Sequence, residues 1–304
     1  MMAKKTTRGI PQLAVLASPW KEYELLDSGN GLKLERFGAY QLIRPEAEAI
    51  WRPAWPEAKW KNANATFVTN DELHGGHWEV NGELPKRWLI SYNDLKLWMQ
   101  TSGSRQVGVF PEQSSHWDWI EEQINYAKRP TKVLNLFGYT GMASLAAAHA
   151  GSQVTHVDAS RKVVEWGKEN QMASGLGEKP VRWLVDDVLK FVQREERRES
   201  FYDGIILDPP KFGRGPKGEV WEFYKLIPEL LEACRRILTP NPLFVVMTAY
   251  AVKASPVTLY QAMDEMMTAH KGRVMAGELV LEEKSAGRYL STAIFARWDA
   301  KYKS

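Results

Sequence analysis

Two short segments in the second half of the chain place glycines beside polar side chains, in a pattern suited to holding a ligand. The first, FGYTG (137–141), follows an apolar run, and Gly138 and Gly141 let the backbone turn tightly and approach a bound group. Asp158 comes 17 residues after Gly141 and ends the next apolar run. A carboxylate there can accept hydrogen bonds from both hydroxyls of a ribose. These residues indicate a ligand that contains a nucleoside.

A third acidic position supports the same class of ligand. The segment VDD (185–187) ends another apolar run, so that Asp186 or Asp187 can contact an adenine amino group while the other caps the following helix. Two nucleoside cofactors fit these positions, NAD(P) and S-adenosylmethionine.

The segment DPPKF (208–212) separates the two cofactors. Pro209 and Pro210 fix an extended backbone that has no amide donors and leaves carbonyls free. Such a loop, with Asp208 before it, can accept hydrogen bonds from a planar amine or imide while Phe212 stacks on the ring. The acceptor is then held in line with a methyl group. A nicotinamide enzyme has no use for this arrangement, so the segment favours S-adenosylmethionine.

These segments require a scaffold that brings the ends of several strands together. From residue 131 onward apolar runs alternate with amphipathic stretches, which is typical of a parallel sheet with crossover helices. Ligands bind such sheets beyond the carboxyl ends of the strands. The predicted strands are 133–136, 153–158, 181–185, 204–208 and 243–248. The predicted helices are 120–130, 142–150, 161–174, 188–194, 221–238 and 257–270. Two final strands, near 277–283 and 291–298, have too short a link for a parallel crossover, which predicts an antiparallel hairpin.

Four motifs in order, VLNLFGYTG, VTHVDAS, VDDVLKF and DPPKF, resemble those of class I S-adenosylmethionine-dependent methyltransferases, over about residues 108–247. The resemblance is to the group that includes large-subunit ribosomal RNA cytosine-C5 methyltransferases. It implies an α/β fold with a Rossmann-like, seven-stranded sheet, S-adenosyl-L-methionine as the cofactor, and RNA, in particular rRNA, as the substrate.

The resemblance also implies roles for individual residues. Asp158 would hold the ribose, Asp186 or Asp187 the adenine, and 208–212 the target, with Asp208 also facing the cofactor. The segment GVFPEQ (108–113) resembles one that usually ends in Gln-Arg, and Ser114 stands at the arginine position here. The methionine part would contact Asn135, Phe137, Gly138, Tyr139, Thr140 and Gly141, and further cofactor contacts would come from Phe110 and Ala159.

One departure from that group concerns the chemistry. Methylation of a pyrimidine carbon-5 requires a cysteine thiolate that adds to the ring, but Thr248 and Tyr250 stand where this cysteine is needed. The single cysteine, Cys234, lies on an apolar helical stripe and is predicted to be a core residue. We therefore expect a nitrogen or oxygen acceptor, with Asp208 orienting an amine and Tyr250 hydrogen-bonding the acceptor.

The amino-terminal third has a different character. Short segments broken by turn signals predict a β-rich accessory domain at 1–105, followed by the methyltransferase domain at 106–304. Most of the 13 tryptophans lie in the first 119 residues. They can fill the core of a small domain or stack on bases, and we favour the core. The segment GRGPKG (213–218) fits a phosphate-gripping lid and a solvated connection equally well.

Composition sets the remaining expectations. A net charge of +3 and a pI near 8.7 permit a polyanionic partner without demanding one. The sequence shows no signal peptide or membrane span, and one cysteine forms no internal disulfide, so we expect a cytoplasmic protein. His74 and His77 have no further ligands at metal spacing, so no metal site is predicted. Methylation of a small molecule or protein, a non-catalytic RNA-binding scaffold, and every oligomeric state stay open.

Overall fold

The computed structural model describes residues 12–17, 20–70 and 75–300. The elements of the amino-terminal part are β1 (Leu13–Leu16), β2 (Tyr23–Gly29), β3 (Leu32–Phe37), β4 (Tyr40–Pro45), α1 (Glu57–Trp60), β5 (Ala65–Thr69), β6 (Gly76–Val80), β7 (Arg87–Tyr92) and β8 (Leu95–Gln100). A single 3-10 turn, Pro111–Gln113, then leads into α2 (Ser114–Ala127).

Strands and helices alternate through the rest of the chain, as predicted. They are β9 (Lys132–Leu136), α3 (Met142–His149), β10 (Gln153–Asp158), α4 (Arg161–Ala173), β11 (Val181–Val185), α5 (Val188–Arg197), β12 (Gly204–Leu207), β13 (Phe212–Arg214), β14 (Val220–Glu222), α6 (Phe223–Arg236), β15 (Phe244–Ala249), α7 (Pro256–Met266), β16 (Arg273–Glu282) and β17 (Tyr289–Asp299). The five predicted strands and the final hairpin are therefore confirmed.

The largest sheet of the described residues has eight strands, in the order β1-β16-β17-β15-β12-β9-β10-β11. Every strand is parallel to its neighbours except β17, which runs antiparallel to β15 and β16. The central strands β12 and β15 are buried along their whole length, which explains their unbroken apolar sequences. This is the predicted α/β architecture with one addition, because β1 joins seven expected strands at the edge.

The amino-terminal part forms a five-stranded sheet, β2-β3-β4-β5-β6, and a separate β7–β8 hairpin. Every tryptophan is buried or partly buried, and Trp20, Trp117 and Tyr92 pack edge to face. These rings therefore fill a core, as favoured from the sequence. One apolar cluster extends from Trp20 to Leu290 and joins both parts of the chain. A domain division at residue 105 stays a prediction.

The β16–β17 hairpin fastens the amino-terminal sheet to the large one. Ile294 of β17 pairs with Ala249, the last residue of β15, so the hairpin projects beyond the carboxyl ends of the parallel strands. Arg288 in its turn donates to Glu283 at 2.6 Å and to Asp27 of β2 at 3.4 Å. Both carboxylates are buried. The amino-terminal sheet therefore lies at the sheet edge where the predicted ligand segments end.

One predicted boundary is wrong in this region of the chain. The helix predicted at 221–238 begins at Phe223, because residues 220–222 form β14 and pair with β13. The segment 213–218 consists of the end of β13 and most of the turn that follows it, and its contact with phosphates stays a prediction.

Candidate active site

The glycine segment connects β9 to α3 at the carboxyl edge of the sheet. Phe137 and Tyr139 adopt positive φ angles of 58° and 50°, and Gly141 one of 89°. A left-handed backbone at a residue other than glycine costs roughly 1–3 kcal/mol and is concentrated at functional sites. A hydrogen bond helps to keep the segment in this strained conformation, because the Gly138 amide donates to the Val157 carbonyl at 3.1 Å.

The two glycines of this segment are required by neighbouring protein side chains. A Cβ atom at Gly138 would lie 2.4 Å from Cε1 of His156, and one at Gly141 would lie 2.5 Å from the Trp183 ring. His156 is fully buried, as predicted for a packed strand residue, and burial lowers its pKa to about 3. Because residues 138 and 141 lack side chains, the loop can pack directly on the sheet. The side of the loop that faces away from the sheet is also left unobstructed.

Two polar residues of the predicted cofactor set use their side chains within the protein. Asn135 Nδ2 donates to Ser144 Oγ at 2.9 Å, and Thr140 Oγ1 donates to the Gly108 carbonyl at 2.6 Å. Asn170 of α4 donates to the Thr140 carbonyl at 3.0 Å and accepts from the Trp98 amide at 2.8 Å. The glycine segment is therefore braced from the amino-terminal part as well as from the sheet.

Asp158 ends β10 beside this segment. Its Oδ2 accepts from the Tyr139 amide at 3.0 Å and its Oδ1 from the Ser160 amide at 2.9 Å. Burial raises the pKa of this carboxyl, and the amides oppose that effect. Each carboxylate oxygen retains a further lone pair. Ala159 follows it and is half-buried.

The acidic pair after β11 divides its roles between the two residues. Asp187 is the N-cap of α5, where its side chain accepts from the Lys190 amide at 2.9 Å. Asp186 accepts from the Asp187 amide at 2.9 Å and forms an ion pair with Arg194. Of the two alternatives, Asp187 is therefore the capping residue.

The proline segment after β12 is held by the β13–β14 hairpin. Trp221 Nε1 donates to the Pro210 carbonyl at 2.7 Å, and the Phe223 amide donates to the Lys211 carbonyl at 3.1 Å. The expectation that the whole segment offers free carbonyls is wrong at these two positions. Phe212 points to solvent and is 56% exposed.

Asp208 is the most strongly perturbed carboxyl group at this edge. Its Oδ2 accepts from Gln113 Nε2 at 2.8 Å, whereas its buried Oδ1 has no hydrogen-bond partner among the described residues. Burial, followed by the charge of Glu112, raises its pKa to about 8. An unpartnered buried oxygen is costly and calls for a ligand group to satisfy it.

Tyr250 lies beyond the end of β15 and presents a second such atom. Its hydroxyl is buried beside Gln113 and Glu112 but makes no hydrogen bond of normal geometry in the described ranges, and burial raises its pKa well above the usual value. Its ring packs on Phe110 with centroids 5.1 Å apart, and Phe110 in turn packs on Tyr139 at 5.3 Å. Phe110 thus lies between Tyr139 of the glycine segment and Tyr250.

A cavity of about 40 Å³ lies between the glycine segment and Asp208. Of the predicted cofactor residues, Phe110, Asn135, Asp208 and the whole of 137–141 line it, together with Gln113. This volume takes the end of a ligand rather than a whole nucleoside. Asp158 and the 185–187 segment stand outside it, at the ends of the neighbouring strands β10 and β11, where the rest of an extended ligand would lie.

Cys234 is remote from this chemistry. It is fully buried in the apolar cluster around α6, and burial raises its pKa. The prediction of a core cysteine is confirmed.

The two histidines considered as a metal pair belong to the amino-terminal part of the chain. His77 is an exposed residue of β6, and His74 lies outside the described residues. Within the described ranges there is no group of three or more His, Cys, Asp or Glu side chains arranged for a metal ion. No helix of the described chain is both long enough and apolar enough to cross a membrane.

Comparison with known proteins decides the family. The family model described as S-adenosylmethionine-dependent methyltransferase matches residues 8–250. The chain belongs to this family. A crystal structure of the S-adenosylmethionine-dependent methyltransferase from Agrobacterium tumefaciens is 48% identical to this methyltransferase, covers 96% of this chain and 95% of that chain, and superposes with a TM-score of 0.92.

More distant relatives carry RNA-related names. Ribosomal RNA large subunit methyltransferase I of Enterobacter sp. (strain 638) is 30% identical over 199 residues, which are 61% of this chain and 49% of the relative. The protein of that name from Photobacterium profundum is 33% identical over 135 residues, 44% of this chain and 33% of the relative. The methyltransferase therefore spans between a third and a half of the length of these curated relatives.

Three residues of the site were missed from the sequence. Gln113 was noted only as part of a segment, although a buried amide opposite a proline loop is a natural partner for a carboxylate. Glu112 gave no signal, because its effect on Asp208 depends on burial. Trp221 was assigned to a helix, although alternation in FGR and VWE around a glycine-rich turn is typical of a hairpin.

Proposed function

We propose that this methyltransferase transfers a methyl group from S-adenosylmethionine to a nitrogen or oxygen atom of RNA, with ribosomal RNA as the substrate class. One observation carries the choice of acceptor. Among the described residues, no hydrogen-bond partner reaches the buried Oδ1 of Asp208, which lines the cavity, or the buried hydroxyl of Tyr250, whose ring packs on the cavity residue Phe110. The chain's single thiol, Cys234, is buried in the core.

The residues around the cavity fit the cofactor. Residues 137–141 and Phe110 would surround the methionine end, and Asp208 would face the sulfonium, whose positive charge a carboxylate favours. Asp158 would accept from the ribose hydroxyls through its remaining lone pairs. Asp186, held by Arg194 and the Asp187 amide, would contact the adenine through a remaining lone pair, while Asp187 serves as the helix cap.

The acceptor chemistry follows from the perturbed carboxyl. The bound cofactor supplies an electrophilic methyl group, and direct displacement needs an aligned lone pair on the acceptor. Asp208, with its pKa raised to about 8, changes protonation near neutral pH. As a carboxylate it accepts a hydrogen bond from an amine or hydroxyl and takes up the released proton. Tyr250 would donate to a second polar atom of the substrate, and the carbonyls of Asp208 and Pro209 remain as acceptors for it.

RNA as substrate is supported by the names of the relatives, of which this chain matches a part. RNA would also place the enzyme in the cytoplasm. The deciding experiment compares modified nucleosides by mass spectrometry in ribosomal RNA from cells with and without the gene. We expect one methylated nucleoside with a nitrogen- or oxygen-bound methyl group to disappear. Loss of 5-methylcytosine instead would refute the acceptor assignment, and an unchanged nucleoside profile would refute ribosomal RNA as the substrate.

A further inference from the structure

The β13–β14 hairpin has two faces of opposite character. Side chains alternate along a strand, and the register pairs Gly213 with Trp221 and Arg214 with Val220. Trp221 is buried on the inner face, whereas Phe212 and Val220 on the outer face are 56% and 49% exposed. Two large apolar side chains on a two-stranded hairpin thus remain in water beside an exposed arginine.

The inner face fixes the hairpin to the active site. The Trp221 ring packs on Phe137 with centroids 4.8 Å apart, and its Nε1 donates a hydrogen bond to the Pro210 carbonyl. A Cβ atom at Gly213 would lie 3.3 Å from the Pro210 ring, so the inner face is closely packed. The outer face is therefore held in a fixed position relative to the glycine segment and the proline segment.

The turn of the hairpin is also ordered. The Gly215 amide donates to the Glu219 carbonyl at 2.8 Å, and the Lys217 amide donates to the Glu219 carboxylate at 2.9 Å. That carboxylate forms a salt bridge with Lys190 of α5 at 2.7 Å. The glycines at 215 and 218 thus build a tight turn tied to the main body.

The cations of this hairpin are left unneutralised. Glu219 is paired with Lys190 and Glu222 with Lys225. In the described part of the chain, no acidic side chain pairs with the three remaining cations of the segment, which are Lys211, Arg214 and Lys217. The surface combines an exposed aromatic ring with local positive charge.

We propose that the outer face of the β13–β14 hairpin binds an unpaired RNA segment that flanks the target nucleotide, with one base stacked on Phe212 and phosphates held by Arg214 and Lys217. Proteins bind single strands through such pairs of aromatic platforms and cationic tracks. This inference rests on the proposed function. Phe212 follows Asp208 by four residues, which span at most about 14 Å, so the platform lies within a few nucleotides of the acceptor.

The test measures binding of a labelled 12-nucleotide single-stranded RNA to the full chain by fluorescence anisotropy, with S-adenosylhomocysteine present. Phe212→Ala should weaken binding roughly 5- to 150-fold, the effect of losing one stacked base. Phe212→Trp should retain it. The matched control is Phe201→Ala, because Phe201 is also an exposed phenylalanine, 44% exposed, but precedes β12 at the opposite edge of the sheet.

The cations are tested by salt dependence. The double variant Arg214→Ala/Lys217→Ala should reduce the slope of log affinity against log salt by about 1.4, since each phosphate contact to a single strand contributes about 0.7. Lys179→Ala, an exposed lysine just before β11, should leave the slope unchanged. Calorimetric binding of S-adenosylhomocysteine should be the same for all variants, which shows that each one is folded.

If both hairpin variants bound RNA with wild-type affinity and salt slope, the proposed RNA-binding role of the hairpin would be overturned. The proposed methylation of RNA would still stand. Equal or tighter binding of a duplex, insensitive to Phe212→Ala, would also overturn it. A nucleoside profile unchanged by gene deletion would refute the proposed function, and that experiment does not depend on the hairpin.

Discussion

Gln113 Nε2 donates a hydrogen bond to Asp208 Oδ2 across 2.8 Å, between segments 95 residues apart. Gln113 is the side-chain hydrogen-bond partner of this carboxylate, whose second oxygen is buried and has no partner within the described ranges. It therefore sets both the orientation of Asp208 and part of its protonation.

Replacement of Gln113 by leucine should impair catalysis more than folding. The hydrogen bond from Gln113 lowers the pKa of Asp208 against the effect of burial, so its loss should move the pH-rate profile of methyl transfer to higher pH. We expect kcat/KM at pH 7 to fall roughly 10- to 100-fold, the effect of about 1.5–3 kcal/mol for a hydrogen bond to a charged group. The control is Gln193→Leu, at a partly buried glutamine that donates to Glu229 instead of to a carboxylate of the site. An unshifted pH profile in Gln113→Leu would contradict this role.

The raised pKa of Asp208 predicts a pH dependence of stability for the protein without cofactor. The native state binds this proton up to about pH 8, whereas the unfolded carboxyl releases it near its ordinary pKa of about 3.9. The native state thus holds more protons between these values, and the free energy of unfolding should decrease as pH rises through them, by at most about 6 kcal/mol. Asp208→Asn should lack this decrease in urea titrations between pH 5 and 9. A parallel decrease in the variant would assign it to another group.

Asp186 and Asp187 should respond differently to the same substitution. Asp187→Ala removes the N-cap of α5 and should lower the free energy of unfolding by ~1 kcal/mol, with little effect on cofactor affinity. Asp186→Ala should weaken binding of S-adenosylhomocysteine roughly 10-fold or more, because it removes the acceptor proposed for the adenine. Thermal unfolding and calorimetry on the same samples separate the two effects, and the reverse pattern would exchange the roles.

Gly138→Ala should destabilise the protein through His156. The added methyl group meets a buried ring at 2.4 Å, and overpacking of this kind costs about 1–3 kcal/mol. Gly103→Ala is the control, since nothing lies within 4 Å of its Cβ position. In a double-mutant cycle with His156→Ala the two costs should not add. Strict additivity would show that the clash is relieved elsewhere.

Cys234→Ala should leave methyl transfer intact. The substitution removes one buried sulfur atom from the core and should cost about 1 kcal/mol of stability, while the specific activity of the folded protein stays within a factor of two. A loss of 100-fold or more in a folded variant would show that the thiol takes part in the reaction, and would restore carbon-5 as the acceptor.

The parallel part of the fold could be predicted because each buried strand is a continuous apolar run followed by a chemically distinctive turn. β10 and β11 were predicted with their observed limits for this reason. β1 was not predicted, since the exposed residues Leu13 and Val15 alternate with partly buried ones in an edge strand, and four such residues carry little signal. The pairing of this strand with β16 depends on tertiary contacts alone.

The site was predicted in part for a related reason. Asp158 and Asp208 stand at strand ends, where topology fixes position, so sequence order locates them. The partner of Asp208 comes from a segment that precedes the sheet, and no local pattern reveals which side chain will face it. The role of Trp221 was hidden likewise, because a three-residue strand directly before a helix resembles the first turn of that helix.

The contact of Arg288 with Glu283 and Asp27 has a practical consequence for work with this enzyme. Removal of the amino-terminal part would leave Arg288 and Glu283 without Asp27 and would uncover the edge of β16, which invites aggregation. A shortened version carrying only the cofactor-binding half would therefore be a poor reagent, and crystallisation or screening should start from the intact polypeptide. Proteolytic fragments of the two halves are expected to stay associated after cleavage.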